Sequence, residues 1–407
     1  MLMTERQPGD RAFWLMLMSQ GVSQLGDRLY QVALMWWTLH VTGSLGWSSA
    51  VLVAGTLPGV LLGPIAGAVA DRFDKRIVMI ASDVGRALLC LSLAGALWSG
   101  IQNVWAVLCV AACLAAFGAF FTPASQAAMP AILPPERLLQ GNAWLGSLTH
   151  FCSLIGPALG GLAVAAWGVE SAFLLNGLAL LLSGLALLGL PKLASGADQN
   201  REGFWPGILG GVAVLQKDAL VARLLTLFAL VNLFTMPVML WMPHFAMNVF
   251  KVGARGLGLL EAALALGMLG AGLGWARVRR EHPPIPWITA GLSGTGVAIA
   301  LMGYVPTYPG HLLSLVVAGL AMGTVNVRVM VLFQTRIPNA ELGRFMGLLG
   351  SVCSALIPVS YGVYGWLSQL QDPVNLMRYN GLILAGIGIL AYVLLASLAS
   401  KASYNAA

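Results

Sequence analysis

Apolar runs of about 20 residues recur along this chain, each ended by a short cluster of charge, proline or glycine. A helix rises about 1.5 Å per residue, so runs of about 20 residues match roughly 30 Å of hydrocarbon. Read this way, the pattern predicts twelve helical spans near 13–40, 47–70, 77–98, 103–126, 141–166, 170–190, 220–246, 256–276, 285–304, 311–335, 343–368 and 375–398. The fold class expected is an all-α membrane protein.

Composition agrees. Of the 407 residues, 58% are hydrophobic and only 9% charged, whereas a soluble globule carries about 25% charged residues. The net charge of +7 does not point to nucleic acid, because the bases are segregated. Arg6, Arg11, Arg72, Lys75, Arg76, Arg137 and most others fall at one set of alternating loops and termini, and Lys251 and Arg255 alone fall at the other. That bias places both termini in the cytoplasm and requires an even number of spans. No signal-peptide pattern opens the chain, so the first span is expected to be retained. The five cysteines all lie in apolar runs and indicate no extracellular disulfide framework.

The longest polar interruption, Pro191 to Gly203, divides six spans from six. The expected organisation is an N-terminal six-helix bundle (1–190), a cytoplasmic linker with a possible interfacial helix over Gly207 to Leu220 (191–219), and a C-terminal six-helix bundle (220–407). Shifting the chain on itself by 205 residues pairs Asp27 with Asn232, Gly67 with Gly272, Arg72 with Arg277, Lys75 with Arg280, Gly118 with Gly323, Glu136 with Glu341 and Gly160 with Gly365. A shared offset across both halves argues for duplication of one bundle.

The turn from Gly67 through Asp71 and Arg72 to Asp74, Lys75 and Arg76 resembles the signature loop between helices 2 and 3 of the major facilitator superfamily. Asp74 stands where that loop usually has a second glycine. The resemblance implies a cytoplasmic gate formed by Gly67, Asp71, Arg72 and Arg76. Physically, Gly67 allows close helix approach, Asp71 lies near a helix terminus and the bases hold the cytoplasmic side; a topology signal alone is the plainer alternative. Asp83 and Arg86, one turn apart, are expected to buttress this loop.

Gly156, Pro157, Gly160 and Gly161 resemble the end of the helix-5 motif of superfamily exporters. There proline removes a backbone donor and the glycines thin the helix, giving a flexing point. Packing alone also explains them. The stretch from Phe121 and Pro123 through Gln126, Pro130 and Glu136, with Ser23 to Asp27 and Ser82 to Arg86, resembles the macrolide-efflux and siderophore-exporter branch of that superfamily.

Ionisable residues inside spans cost about 2.5–3.5 kcal/mol each at a helix centre and point to mechanism. Asp27 and Glu261 are the candidate coupling acids, since a carboxylate in low dielectric can carry a proton near neutral pH. A static ion pair with Arg28 or Arg378 is the alternative. Candidate cavity residues are Met35, Gln126, His150, Asn232, Met236, Met239, Asn326 and Arg328. His150 and His244 could relay protons or serve as ordinary hydrogen-bonded residues. The methionines suit promiscuous lipophilic ligands, while Trp36 and Trp37 are expected to face lipid or an interfacial belt.

The resulting expectation is a secondary active transporter in a bacterial-type inner membrane. It exports a drug-, macrolide- or siderophore-like amphipathic small molecule by alternating access and proton antiport, and acts as a monomer. No metal, cofactor or nucleic acid is expected, and the energy source is the proton gradient. No G-x-x-x-x-G-K-[ST] or H-E-x-x-H pattern occurs, so neither ATP hydrolysis nor enzyme activity is expected. An uptake permease of the same fold, or from another class a polytopic receptor or membrane enzyme, is the alternative.

Overall fold

A computed structural model describes residues 8–193, 204–278, 283–305 and 307–404. Arg6, Arg201, Arg279, Arg280 and most of the 191–203 interruption lie outside them. The described residues fall in two compact units, one within Met1–Arg201 plus Val252–Gly258 and the other within Glu202–Lys251 plus Leu259–Ala407.

The first unit contains α1 (Pro8–Thr42), α2 (Leu45–Ala54), α3 (Leu57–Arg72), α4 (Lys75–Trp98), α5 (Val104–Ile132), α6 (Pro135–Trp167) and α7 (Val169–Leu187). The second contains α8 (Phe204–Lys217), α9 (Ala219–Thr235), α10 (Pro237–His244), a π-helical turn (Phe245–Val249), most of α11 (Gly253–Arg277), α12 (Pro284–Tyr304), α13 (Tyr308–Arg336), α14 (Asn339–Leu370) and α15 (Pro373–Tyr404). Two expected spans are interrupted. The run over 47–70 breaks between α2 and α3 at Gly55 and Thr56, and the run over 220–246 breaks where Pro237, which has no backbone N–H, starts a new helix.

Eleven helical segments among the described residues are long and apolar enough to cross a membrane. The first expected span, α1, has 35 residues yet is not among them. Its shortfall is one of polarity rather than length: Ser19, Gln20, Ser23, Gln24, Asp27, Arg28 and Gln31 interrupt its apolar surface.

The repeat is visible in the elements themselves. Helices α5 and α13 have 29 residues each, and α3 and α11 end at Arg72 and Arg277. The turns after α5 and α13 read Leu133-Pro134 and Ile337-Pro338, with each proline preceding the next long helix. Ion pairs at those junctions have opposite polarity. In the first unit Arg137 of α6 pairs with Asp10 of α1; in the second, Glu341 of α14 pairs with Lys217 of α8 at 2.5 Å. The exposed position of Lys217 limits the latter pair to about 0–1 kcal/mol.

Asp74 has a local role that its place in the loop did not announce. It caps α4, accepting a hydrogen bond from Arg76 N–H at 2.9 Å, and also accepts from Leu193 N–H at 3.3 Å beyond α7. Arg76 adds a guanidinium bond to Leu188 O at 2.6 Å. The loop is thereby tied to the end of its own unit's last helix. Asp74→Ala is expected to lower stability by about 0.5–2 kcal/mol, and Asp74→Gly by only a few tenths. Thermal unfolding of the detergent-solubilised variants checks the order.

Candidate functional site

The first unit has two apolar clusters with a polar layer between them. One cluster gathers Tyr30, Trp37, Cys90, Leu93, Phe173 and Leu180; the other gathers Phe13, Met16, Met79, Ala128, Met129 and Leu187. Between these levels α1 presents Ser19, Ser23 and Asp27 at a spacing of four, which puts them along one helix face. Helix α4 presents Asp83 and Arg86 one turn apart, and α7 contributes Ser183.

These groups form one network centred on Arg86. Its guanidinium donates to Asp27 at 3.0 Å, to Asp83 at 2.5 Å and to Ser23 Oγ at 3.2 Å. The hydroxyl of Ser183 donates to the second Asp83 oxygen at 2.5 Å and lies 2.7 Å from Ser19 Oγ. The Phe121 ring lies under the guanidinium, 5.1 Å from its carbon to the ring centroid, a cation–π position. Gln20 extends the layer by donating to Ser125 at 2.7 Å. Asp83 is fully buried, whereas the Asp27 side chain is 35% exposed.

Two carboxylates thus surround one guanidinium. With every group ionised, this cluster carries one excess negative charge in an apolar setting. Asp27 is the accessible member, and Asp83 with Ser23 would continue to hold Arg86 if Asp27 turned away. The arrangement can exchange one partner without leaving Arg86 alone.

This pairing differs from the sequence expectation. Asp83 and Arg86 are directed to Asp27 and Ser183 rather than to the 67–76 loop, because Arg86 lies midway along the 24 residues of α4, about three turns beyond its start. Arg28 donates to Gln31 at 3.1 Å. Arg378 donates to Gly303 O at 2.7 Å and Asn375 at 3.1 Å and lies over Tyr304. Neither is the partner of Asp27. Glu261 belongs to the other unit and lies near enough to Tyr361 to act on it electrostatically.

The other candidates separate by environment. At Gly67 a Cβ would find nothing within 4 Å. Asp71 and Arg72 lie in the last turn of α3. Helix α6 continues unbroken through Pro157, and its glycines serve close approach. A Cβ on Gly156 would collide with Arg28, and one on Gly160 would lie 3.0 Å from the Leu29 Cα. Gly161 packs in the same way on Ala254 in the first turn of α11.

Met35 is buried, whereas Gln126 and His150 are exposed. Asn232 and Asn326 share a cavity in the second unit, whose lining does not include Met236, Met239 or Arg328. Arg328 instead stacks on Trp275 at 4.6 Å. Trp37 is a core residue rather than a lipid-facing one, and Trp36 stacks on His40. His244 bonds with Asn248 at 3.0 Å.

Sequence reasoning missed the serines. Ser183 is uncharged and stands in an apolar run, and Ser19 is marked only by its four-residue spacing from Ser23 and Asp27.

Relatives bring the same architecture into view. Macrolide efflux protein A of Streptococcus pyogenes is 26% identical over 357 residues, covering 85% of this chain and 87% of that protein. The enterobactin exporter of Citrobacter koseri is 26% identical over 375 residues, covering 88% and 85%. Among solved structures, a mutant of the nucleoside transporter NupG superposes with a TM-score of 0.72 at 15% identity, covering 94% of this chain and 99% of the other. The Major Facilitator Superfamily model matches residues 16–361. Through that match the chain belongs to the major facilitator superfamily of membrane transporters, and its relatives lie in the efflux branch.

Proposed function

We propose that this protein is a secondary active exporter of an amphipathic small molecule, driven by proton antiport through alternating access. The observation that carries the reading is the buried arginine held by two carboxylates, one of them accessible. Protonation of Asp27 would cancel the excess charge and weaken its hold on Arg86, leaving Arg86 on Asp83. Return of the proton to water would restore the pair. Export is favoured by the macrolide and enterobactin exporters among the relatives.

In this reading α1 is the twelfth span, its polar face being the price of carrying the coupling site. The twelve spans form two six-helix bundles in a bacterial inner membrane with both termini cytoplasmic. Glu261 is the second coupling acid, and the 67–76 loop with Asp71, Arg72 and Arg76 gates the cytoplasmic side.

The test uses purified protein in proteoliposomes with an imposed pH gradient and a panel of macrolides, lipophilic cations and siderophore-like anions. Wild type is expected to move at least one compound against the proton flux. Asp27→Asn is expected to lose gradient-driven accumulation while retaining counterflow of the same compound, which separates coupling from binding. Unchanged gradient-driven transport in Asp27→Asn together with Glu261→Gln rejects proton coupling through these acids. Accumulation in the direction of proton flow rejects antiport.

A further inference from the structure

The 205-residue repeat sets a cavity of the second unit at the level where the other copy holds its ions. A cavity of about 150 Å³ in the second unit is lined by α9, α12 and α13 and includes Asn232, Thr295 and Asn326. Shifted back by 205 residues, Asn232 corresponds to Asp27, Thr295 to Cys90 and Asn326 to Phe121. The same shift takes Arg86 to Gly291, Asp83 to Ile288 and Ser183 to Gly388. Every charge of the first copy's network is therefore absent from the second. The guanidinium that fills the layer in the first unit has no counterpart, and a side chain at Gly291 would meet Val325 at 2.7 Å and Ala321 O at 2.9 Å. The helices close at that point, and the void remains beside it.

The polar groups facing this void are neutral and incompletely engaged. Asn232 donates its amide to Phe228 O at 2.8 Å, leaving its carbonyl oxygen as an acceptor. The Thr295 hydroxyl donates to Gly291 O at 2.8 Å and retains acceptor capacity. Asn326 makes no hydrogen bond among the described residues, so its carboxamide offers both a donor and an acceptor. The remaining wall is apolar, with Phe228, Leu292, Met322 and Val325. A charged group entering here would lose its hydration without meeting a countercharge. An uncharged group able to donate to these oxygens would not. A volume of about 150 Å³ is large enough for a benzene-sized ring.

We propose that this cavity is a binding subsite for a neutral ring carrying a hydroxyl or amide, the part of the exported molecule recognised apart from any charge. The duplicated bundle would then have divided its work: the first copy keeps the ionic layer, and the second has lost the charges of the equivalent layer and receives an uncharged ligand group. This rests on the transport reading for the larger molecule, but binding of the small group can be tested without transport.

The probe is 4-fluorophenol, observed by fluorine NMR with the protein in nanodiscs; 4-fluorobenzylammonium serves as the charged comparison. Empty nanodiscs define partition into lipid. Wild type is expected to give saturable broadening with the phenol and none with the ammonium. Thr295→Val, which conserves volume and removes the hydroxyl, is expected to weaken phenol binding several-fold. Asn326→Leu is expected to weaken it at least tenfold, and Asn326→Gln, which keeps the amide but fills the void, to abolish it. Each variant is compared at matched thermal stability. Equal phenol binding by wild type and all three variants overturns the subsite, as does ammonium binding as tight as phenol binding. Loss of gradient-driven transport in Asp27→Asn with phenol binding intact would leave the subsite standing, whereas intact transport with no saturable phenol binding would remove the subsite alone.

Discussion

Arg86→Met is expected to be the most damaging single substitution in the polar layer. It leaves Asp83, which is fully buried, without its guanidinium and with only Ser183 as a donor. Removing one partner of a buried ion pair costs about 3–5 kcal/mol, because the remaining charge is desolvated and uncompensated. Loss of an ordinary interhelical hydrogen bond within a membrane averages only about 0.6 kcal/mol. Gln20→Leu, which deletes the bond to Ser125 in the same layer, is therefore the internal control. The melting temperature of detergent-solubilised Arg86→Met should fall several times further than that of Gln20→Leu. Adding Asp83→Asn to Arg86→Met should recover much of the loss, since no buried charge is then left alone. Failure of the double variant to recover would mean that Arg86 acts through packing on Phe121 and not through charge. Recovery of stability without recovery of transport would agree with a layer whose ions serve the transport cycle.

The elements that sequence made legible are those whose signal is local. Apolar run length, the charges of each loop and each copy of the repeated turn are read within a few residues, so the helices could be placed, and one 205-residue shift then sufficed to find the repeat. Even there Pro237 divides a run that hydropathy reads as continuous, because hydropathy does not register a missing backbone donor. The pairing of charges was not legible. Asp27 meets Arg86 across 59 positions, and nothing in either local stretch selects that partner over Arg28 next door. Helix geometry supplies the missing constraint: Arg28 is turned about 100° from Asp27 on the same helix, whereas the α1 face bearing Ser19, Ser23 and Asp27 is the one that meets α4 and α7. The cavity around Asn232 and Asn326 was legible only in part. Both residues stood out as polar groups in apolar runs, but the loss of the first copy's charges around them, Gly291 standing for Arg86 and Ile288 for Asp83, has meaning only when the two copies are aligned.

Substitution of the α6 glycines should separate a packing role from a flexing one. At Gly160 a Cβ would stand 3.0 Å from the Leu29 Cα, a backbone atom that can give only if α1 moves. At Gly156 a Cβ would run into the Cβ of Arg28, the residue beside Asp27. Forcing a side chain into either contact is expected to destabilise by about 1–3 kcal/mol, and small residues at such crossings are what allows membrane helices to approach. Gly156→Leu and Gly160→Leu should therefore lower the melting temperature in detergent and, by displacing α1 at the level of Asp27, also lower transport. Gly67→Ala offers the contrast: a Cβ there meets nothing within 4 Å, and alanine favours a helix over glycine by about 1 kcal/mol, so its stability should be equal or higher. Pro157→Ala restores a backbone donor without adding bulk. If α6 works as a rigid wedge between α1 and the first turn of α11, Pro157→Ala keeps transport while the two leucine variants lose it. If bending at the proline is what the cycle needs, the order reverses, with transport lost in Pro157→Ala at undiminished stability. The unbroken course of α6 through Pro157 and the backbone contacts of its glycines favour the first result.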